Sequence, residues 1–204
     1  MSEIPHRGAS RRRTAPSLAV LALIAAASPA AAQLPTPTPK AIRIATIEAN
    51  ADARVQGGAP DVNYPTGNLW LGLQDKRSFL HFDLDPIPAG ATIMEAELLL
   101  TFIDSYSEQG PNTIRLGGVR GQWRENTLTY ANQPSVAWSG RSVTVSAPGL
   151  ARFDVRPAVT AWMSGQHPNR GFALQGDGPL KNAYSREAPS STDRPRLRVK
   201  YVEP

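Results

Sequence analysis

From residue 42 onward, apolar and polar positions alternate in short runs, each closed by a turn signal. Ile42, Ile44 and Thr46 alternate with Arg43 and Ala45. Met94, Ala96, Leu98, Leu100 and Phe102 alternate with Glu95 and Glu97, which predicts a strand with one wet face. Leu197, Val199 and Tyr201 do the same against Arg196, Arg198 and Lys200. Further runs are 69–73, 77–84, 114–116, 142–146, 152–155 and 171–174. Asp61-Val62-Asn63-Tyr64-Pro65, Asp85-Pro86, Pro88-Ala89-Gly90, Gly110-Pro111-Asn112 and Asp177-Gly178-Pro179 separate them as turns. One stretch has helical spacing. Val155, Val159 and Trp162 recur at i, i+4 and i+7, Pro157 suits a first turn and Gly165 a stop, so a short helix is expected near 156–164. The pattern predicts an all-β domain, a β-sandwich or jelly roll of about nine strands with one short helix, over residues 41–204.

The N-terminal pattern differs. Arg11-Arg12-Arg13 precedes an apolar run from Leu18 to Ala27, Ser28-Pro29 breaks it, and Ala30-Ala31-Ala32 supplies small residues. Residues 1–32 therefore read as a signal peptide cleaved to leave Gln33 at the new terminus, with the protein exported to the periplasm or beyond. The apolar run is too short for the roughly 20 residues of a membrane span. Leu34-Pro35-Thr36-Pro37-Thr38-Pro39 makes 33–40 a stiff, extended tether.

Charge changes little once the leader is set aside. The full chain carries +5, but residues beyond 32 hold 18 cations against 16 anions. Bulk charge gives no support for a nucleic-acid partner. The absence of cysteine removes disulfides and thiolate metal ligands.

Several short motifs follow one another in order: Asp52-Ala53, Asn63-Tyr64-Pro65, Arg77-Ser78-Phe79-Leu80-His81-Phe82-Asp83-Leu84, Trp123-Arg124-Glu125-Asn126-Thr127-Leu128-Thr129-Tyr130, Phe153-Asp154-Val155, Asn169-Arg170-Gly171-Phe172, Ser185-Arg186-Glu187-Ala188 and Arg194-Pro195-Arg196-Leu197-Arg198-Val199. This series resembles the DNRLRE domain family across 46–201. The resemblance implies a secreted β-sandwich similar to carbohydrate-binding modules, some of which take acidic polysaccharides. It also gives Arg77, Glu125, Asp154, Arg186 and Glu187 the place of structural motif residues. Glu125 is expected to hold a turn or to pair with an arginine such as Arg186, and Trp123 to pack in the core.

Catalytic chemistry finds no anchor. The chain has no Gly-x-Ser-x-Gly elbow, no His-Glu-x-x-His and no Walker loop. Glu95 and Glu97 would lie about 6.5 to 7 Å apart, near a glycosidase spacing, but side by side on a solvated strand face. No cofactor is expected. A structural calcium has candidate ligands in Asp83 and Asp85, with Asp52 and Asp61 as further loop carboxylates; the plainer reading of Asp85-Pro86 is a strand end. Metal ligands stay undefined.

Sugar binding needs exposed aromatic platforms and planar hydrogen-bonding groups, and a uronate adds a carboxylate suited to an arginine fork. The candidates are Tyr64, Trp138 and Tyr184, with Trp70 and Trp162 read as core. Arg196, Arg198 and Lys200 form a basic stripe at roughly 6.6 Å intervals on the last strand, open to Arg43 if first and last strands pair. The stripe suits a polyanion; its competing reading is an edge strand protected by charge. The expectation is a secreted, non-catalytic carbohydrate-binding module for a complex or acidic polysaccharide, with a structural or adhesive surface domain as the alternative.

Overall fold

The computed structural model describes residues 40–105 and 107–204. The leader and all of the tether but Lys40 lie outside them. Eleven strands and one helix follow in order: β1 (Ile42–Glu48), β2 (Ala51–Gln56), β3 (Leu69–Leu71), β4 (Lys76–His81), β5 (Thr92–Ile103), β6 (Asn112–Val119), β7 (Val136–Val145), β8 (Gly149–Asp154), α1 (Arg156–Met163), β9 (Phe172–Gly176), β10 (Lys181–Ala183) and β11 (Arg196–Val202). They form two antiparallel sheets. The six-stranded sheet has the order β1-β11-β5-β10-β3, with β8 also pairing with β5. The five-stranded sheet has the order β2-β4-β9-β6-β7. The all-β sandwich is as the periodicity predicts.

The sheets meet over one apolar core. Leu98, Leu100, Phe153, Leu197 and Val199 from one sheet face Leu80, Ile114, Phe172 and Leu174 from the other, all essentially without solvent contact. Each such side chain contributes roughly 1.5–3 kcal/mol through burial. The helix closes one side of this core. Pro157 lies in its first turn, Val159 is buried, and the Trp162 ring packs 4.7 Å from that of Phe172. Gly165, at φ 72°, ends the helix in a left-handed conformation that glycine adopts without strain.

Two strands exceed the expected nine, and both lack an apolar run. β2 alternates Ala53 and Val55 with Asp52 and Arg54, and β10 is Lys181-Asn182-Ala183. β10 is nonetheless fully buried. Asn182 Nδ2 donates to the Ser105 carbonyl at 2.7 Å and Lys181 Nζ to that of Glu108 at 2.6 Å. Buried polar residues survive where such partners exist.

Three face assignments change. The β5–β11 register slips between Lys200 and Tyr201, so that Tyr201 pairs with Ile93 and Lys200 with Glu95. Met94 is the extra residue of this bulge; it is exposed, and Ile93 is buried in its place. On β1, Ile42 and Ile44 are exposed while Ala45 and Ile47 join the core. Arg43 pairs with Tyr201, whose side chain is turned to the core, so it does not join the basic stripe of β11.

A second, smaller cluster lies on the outer face of the five-stranded sheet. Ala53, Val55, Phe79, Val119 and Ala173 are covered there by Leu128, with Trp123, Tyr130, Val136 and Trp138 around them. Segment 120–135 thus lies across the outer face. Asn63 Nδ2 donates to the Glu125 and Leu128 carbonyls at 2.8 and 2.7 Å, and Trp123 Nε1 to the Arg170 carbonyl at 2.9 Å.

Candidate functional site

The basic stripe of β11 exists as a row, but carboxylates meet it. Lys200 Nζ lies 3.0 Å from Glu95, and Arg198 Nη1 lies 3.5 Å from Glu97. Arg152 approaches the same Glu97 oxygen at 3.2 Å. Arg196 donates to the Thr192 carbonyl at 2.6 Å, and Arg43 pairs with Glu203 at 3.0 Å. Glu95 and Glu97 are therefore bridge partners of the stripe, because β5 lies beside β11. The outer face of the six-stranded sheet is close to charge-balanced.

On the other sheet the cations have different neighbours. Registered pairs place Val55, Arg77, Gln175, Arg115 and Ser142 in one row across all five strands. Arg77 Nε and Arg115 Nη2 both donate to Gln175 Oε1, at 2.9 and 3.0 Å. Arg77 Nη1 also donates to Gln133 Oε1 at 3.1 Å. The Arg115 guanidinium lies 4.6 Å from the Trp138 ring, and that of Arg77 lies 5.8 Å from Tyr130 and 5.9 Å from Trp138. Asp177, 3.5 Å from Arg115 and largely exposed, is the carboxylate paired with this group.

The neighbouring row explains the position of Trp138. It runs Ala53, Phe79, Ala173, Gly117, Trp138. A Cβ on Gly117 would come within 2.5 Å of Val136 Cγ1 and 3.0 Å of the Trp138 ring. Only glycine leaves space for the indole beside it. Trp138 is thus a strand residue, half-buried, where the sequence suggested a stretch between turns. An arginine pair, two amide side chains and two aromatic rings come together on one sheet face. Sequence reasoning had placed Arg77 in the scaffold and had not singled out Arg115, Gln175, Tyr130 or Gln133 for binding.

The remaining aromatic candidates lie elsewhere. Tyr64 accepts a 2.5 Å hydrogen bond from Gln56, and its ring and that of Trp70 take the Arg54 guanidinium at 4.9 and 4.4 Å. Tyr64 is therefore occupied within the fold. Tyr184 is half-buried, and its backbone N–H donates to the Thr101 carbonyl.

The motif residues form two separate clusters. Arg186 grips Glu125 with both arms of its fork, at 2.7 and 2.8 Å, and this holds its guanidinium pKa up. Glu125 Oε1 accepts the Asp52 backbone N–H at 3.0 Å, and Asp52 accepts the Arg186 backbone N–H at 2.7 Å. Burial pushes the Asp52 carboxyl up to about 7. Asp52, Glu125 and Glu187 bring carboxylate oxygens within 4.8 Å of one another, but Arg186 supplies the cation to this group and Ser185 donates to Glu187. Asp83 turns an oxygen to the Asp85 backbone N–H at 3.0 Å, as a strand end does. The second cluster joins Asp154 to Arg141 and to the Arg156 N–H that opens the helix.

No helix among the described residues is long and apolar enough to cross a membrane. No curated protein matches the chain. The motif series carried the name DNRLRE only as a resemblance; the family found to match bears another. The model of carbohydrate-binding module family 96 matches residues 43–201, nearly all of the described fold, and the chain belongs to that family.

Proposed function

We propose that the protein is an exported, non-catalytic carbohydrate-binding module, and that it takes an acidic polysaccharide across the outer face of the five-stranded sheet. The observation that carries this reading is the shared clamp of Arg77 and Arg115 on Gln175, flanked by Trp138 and Tyr130. The two arginines stand two strands apart, so their backbones are separated by about 10 Å. A guanidinium fork matches a uronate carboxylate, the rings offer surfaces for sugar C–H groups, and the buried amide of Gln175, with that of Gln133, holds the two guanidiniums in place for it. The arrangement holds charge and stacking surface but no acid–base pair set against a nucleophile. The leader read in residues 1–32 would deliver the domain to where polysaccharides are met.

Titration of the purified protein with polyuronates and with neutral glucans tests the reading. Uronate binding should weaken as salt rises, since exposed charges are screened over about 8 Å at physiological ionic strength. Neutral glucans should bind weakly. Tight, salt-insensitive binding to a neutral glucan would overturn the acidic ligand, and release of shortened products would overturn the absence of catalysis.

A further inference from the structure

Segment 120–135 crosses the outer face of the five-stranded sheet at Phe79, where the Trp123 ring packs 5.7 Å from that of Phe79. It thereby divides that face. Arg77 and its partners lie on one side. His81, on the same strand face, lies on the other, beside a cleft of about 680 Å³ lined by Trp123, Arg124, Asn126 and Arg170 among others.

Charge in this cleft is unbalanced toward the positive. Among the described residues no ion pair involves Arg120, Arg124 or Arg170. Glu125, the carboxylate in the cleft lining, is already held by both arms of Arg186. His81 gives its Nδ1 to Asn50, and burial holds its pKa below the ordinary value. Arg170 also borders a second hollow of about 190 Å³ that includes Arg120 and Trp162. Trp123 is half-buried and held in orientation by its bond to the Arg170 carbonyl. The exposed amides of Gln122 and Asn126 complete the lining.

We infer that this cleft is a second anionic-saccharide site, formed by Arg124, Arg170 and Trp123, which makes the domain bivalent toward one polymer. The inference rests on the acidic ligand class proposed above. From Arg77 to His81 the strand advances about 13 Å. A long chain can engage both openings by passing over segment 120–135, and a short oligosaccharide fills them separately. Linked sites raise polymer affinity without any new contact.

Calorimetric titration of the full chain with uronate trisaccharides from alginate and pectate, and with the parent polymers, tests this. The wild type should take two equivalents of trisaccharide, and Arg124→Gln/Arg170→Gln should take one. The same variant should lose tenfold or more in polymer affinity at an unchanged melting temperature, because among the described residues neither side chain has a hydrogen-bond or ion-pair partner. One equivalent in both proteins, with polymer affinity unchanged, would overturn the second site. A single equivalent in the wild type, lost in Arg124→Gln/Arg170→Gln but kept in Arg115→Gln, would leave the cleft as the binding site and overturn bivalency together with the sheet-face reading. No uronate bound by any of them would overturn the ligand class and both sites with it.

Discussion

On the outer face of the six-stranded sheet, Arg198 and Lys200 meet Glu97 and Glu95 of the adjacent strand, and Arg152 adds a second cation to Glu97. On the outer face of the five-stranded sheet, Arg77 and Arg115 meet the amide of Gln175 and the rings of Trp138 and Tyr130, and the carboxylate among their partners is the largely exposed Asp177, 3.5 Å from Arg115. Both faces carry a regular row of cations. The difference lies in what the neighbouring strand places opposite them. A carboxylate neighbour spends the positive charge in an exposed pair of about 0–1 kcal/mol. An amide or an aromatic ring orients the guanidinium and leaves its charge for a ligand. The same residue type thus edges a sheet in one place and is available for recognition in another.

The contrast breaks most directly at Trp138 and Arg115. Replacing them together by Ala and Gln should weaken uronate binding about 100-fold, roughly 2.7 kcal/mol, with the fold retained. Titration calorimetry reads this, and the triple Gln variant of Arg196, Arg198 and Lys200 serves as control, with affinity kept within about twofold. If the triple variant loses binding and the double variant does not, the two faces exchange roles.

Next in size is the tie that holds segment 120–135 over the five-stranded sheet. Arg186→Ala leaves Glu125 without its fork beside the buried Asp52. The pair is partly exposed, so the loss should be about 2 kcal/mol of stability, less than a fully buried pair would cost. Denaturant unfolding measures it, and an unchanged midpoint would remove Arg186 from the scaffold.

Asp52 makes this anchor pH-dependent. Its carboxyl is raised from 3.8 to about 7 in the folded chain. Below about pH 4 both states hold the proton; between about 4 and 7 only the folded state does. Stability should therefore fall, by on the order of 1–2 kcal/mol, as pH rises through that window, and level off above it. Asp52→Asn should flatten the profile of melting temperature against pH.

The smallest effect sharpens the comparison from the other side. Glu95→Gln/Glu97→Gln frees Arg198, Lys200 and Arg152, and should give the six-stranded face a weak, salt-sensitive affinity for polyuronate. Stability should change by no more than about 1 kcal/mol. This gain is read best in a background already carrying the Trp138 and Arg115 replacements.

Much of the architecture was legible along the chain. The alternation of Leu98, Leu100 and Phe102, and of Leu197, Val199 and Tyr201, gives the core faces of β5 and β11, and the spacing of Val155, Val159 and Trp162 gives the helix. β2 and β10 were not legible, because what holds them is tertiary: Asn182 Nδ2 and Lys181 Nζ find their acceptors in carbonyls of the segment after β5. Met94 was placed on the wrong face because a bulge adds a residue to one strand, and an alternating pattern read from one strand does not show where its partner slips.

The candidate site divides in the same way. Alternation along β5 and β11 marks most of the residues that turn toward the core, since a pleated strand has a period of two and apolar burial fixes its face. The sequence also supplied the motif residues that resemble a carbohydrate-binding fold. Folding alone settles which outward cations face carboxylates and which face amides and rings. That depends on the residue opposite each one, and strand order set Glu95 and Glu97 beside the stripe of β11, but Gln175 between Arg77 and Arg115.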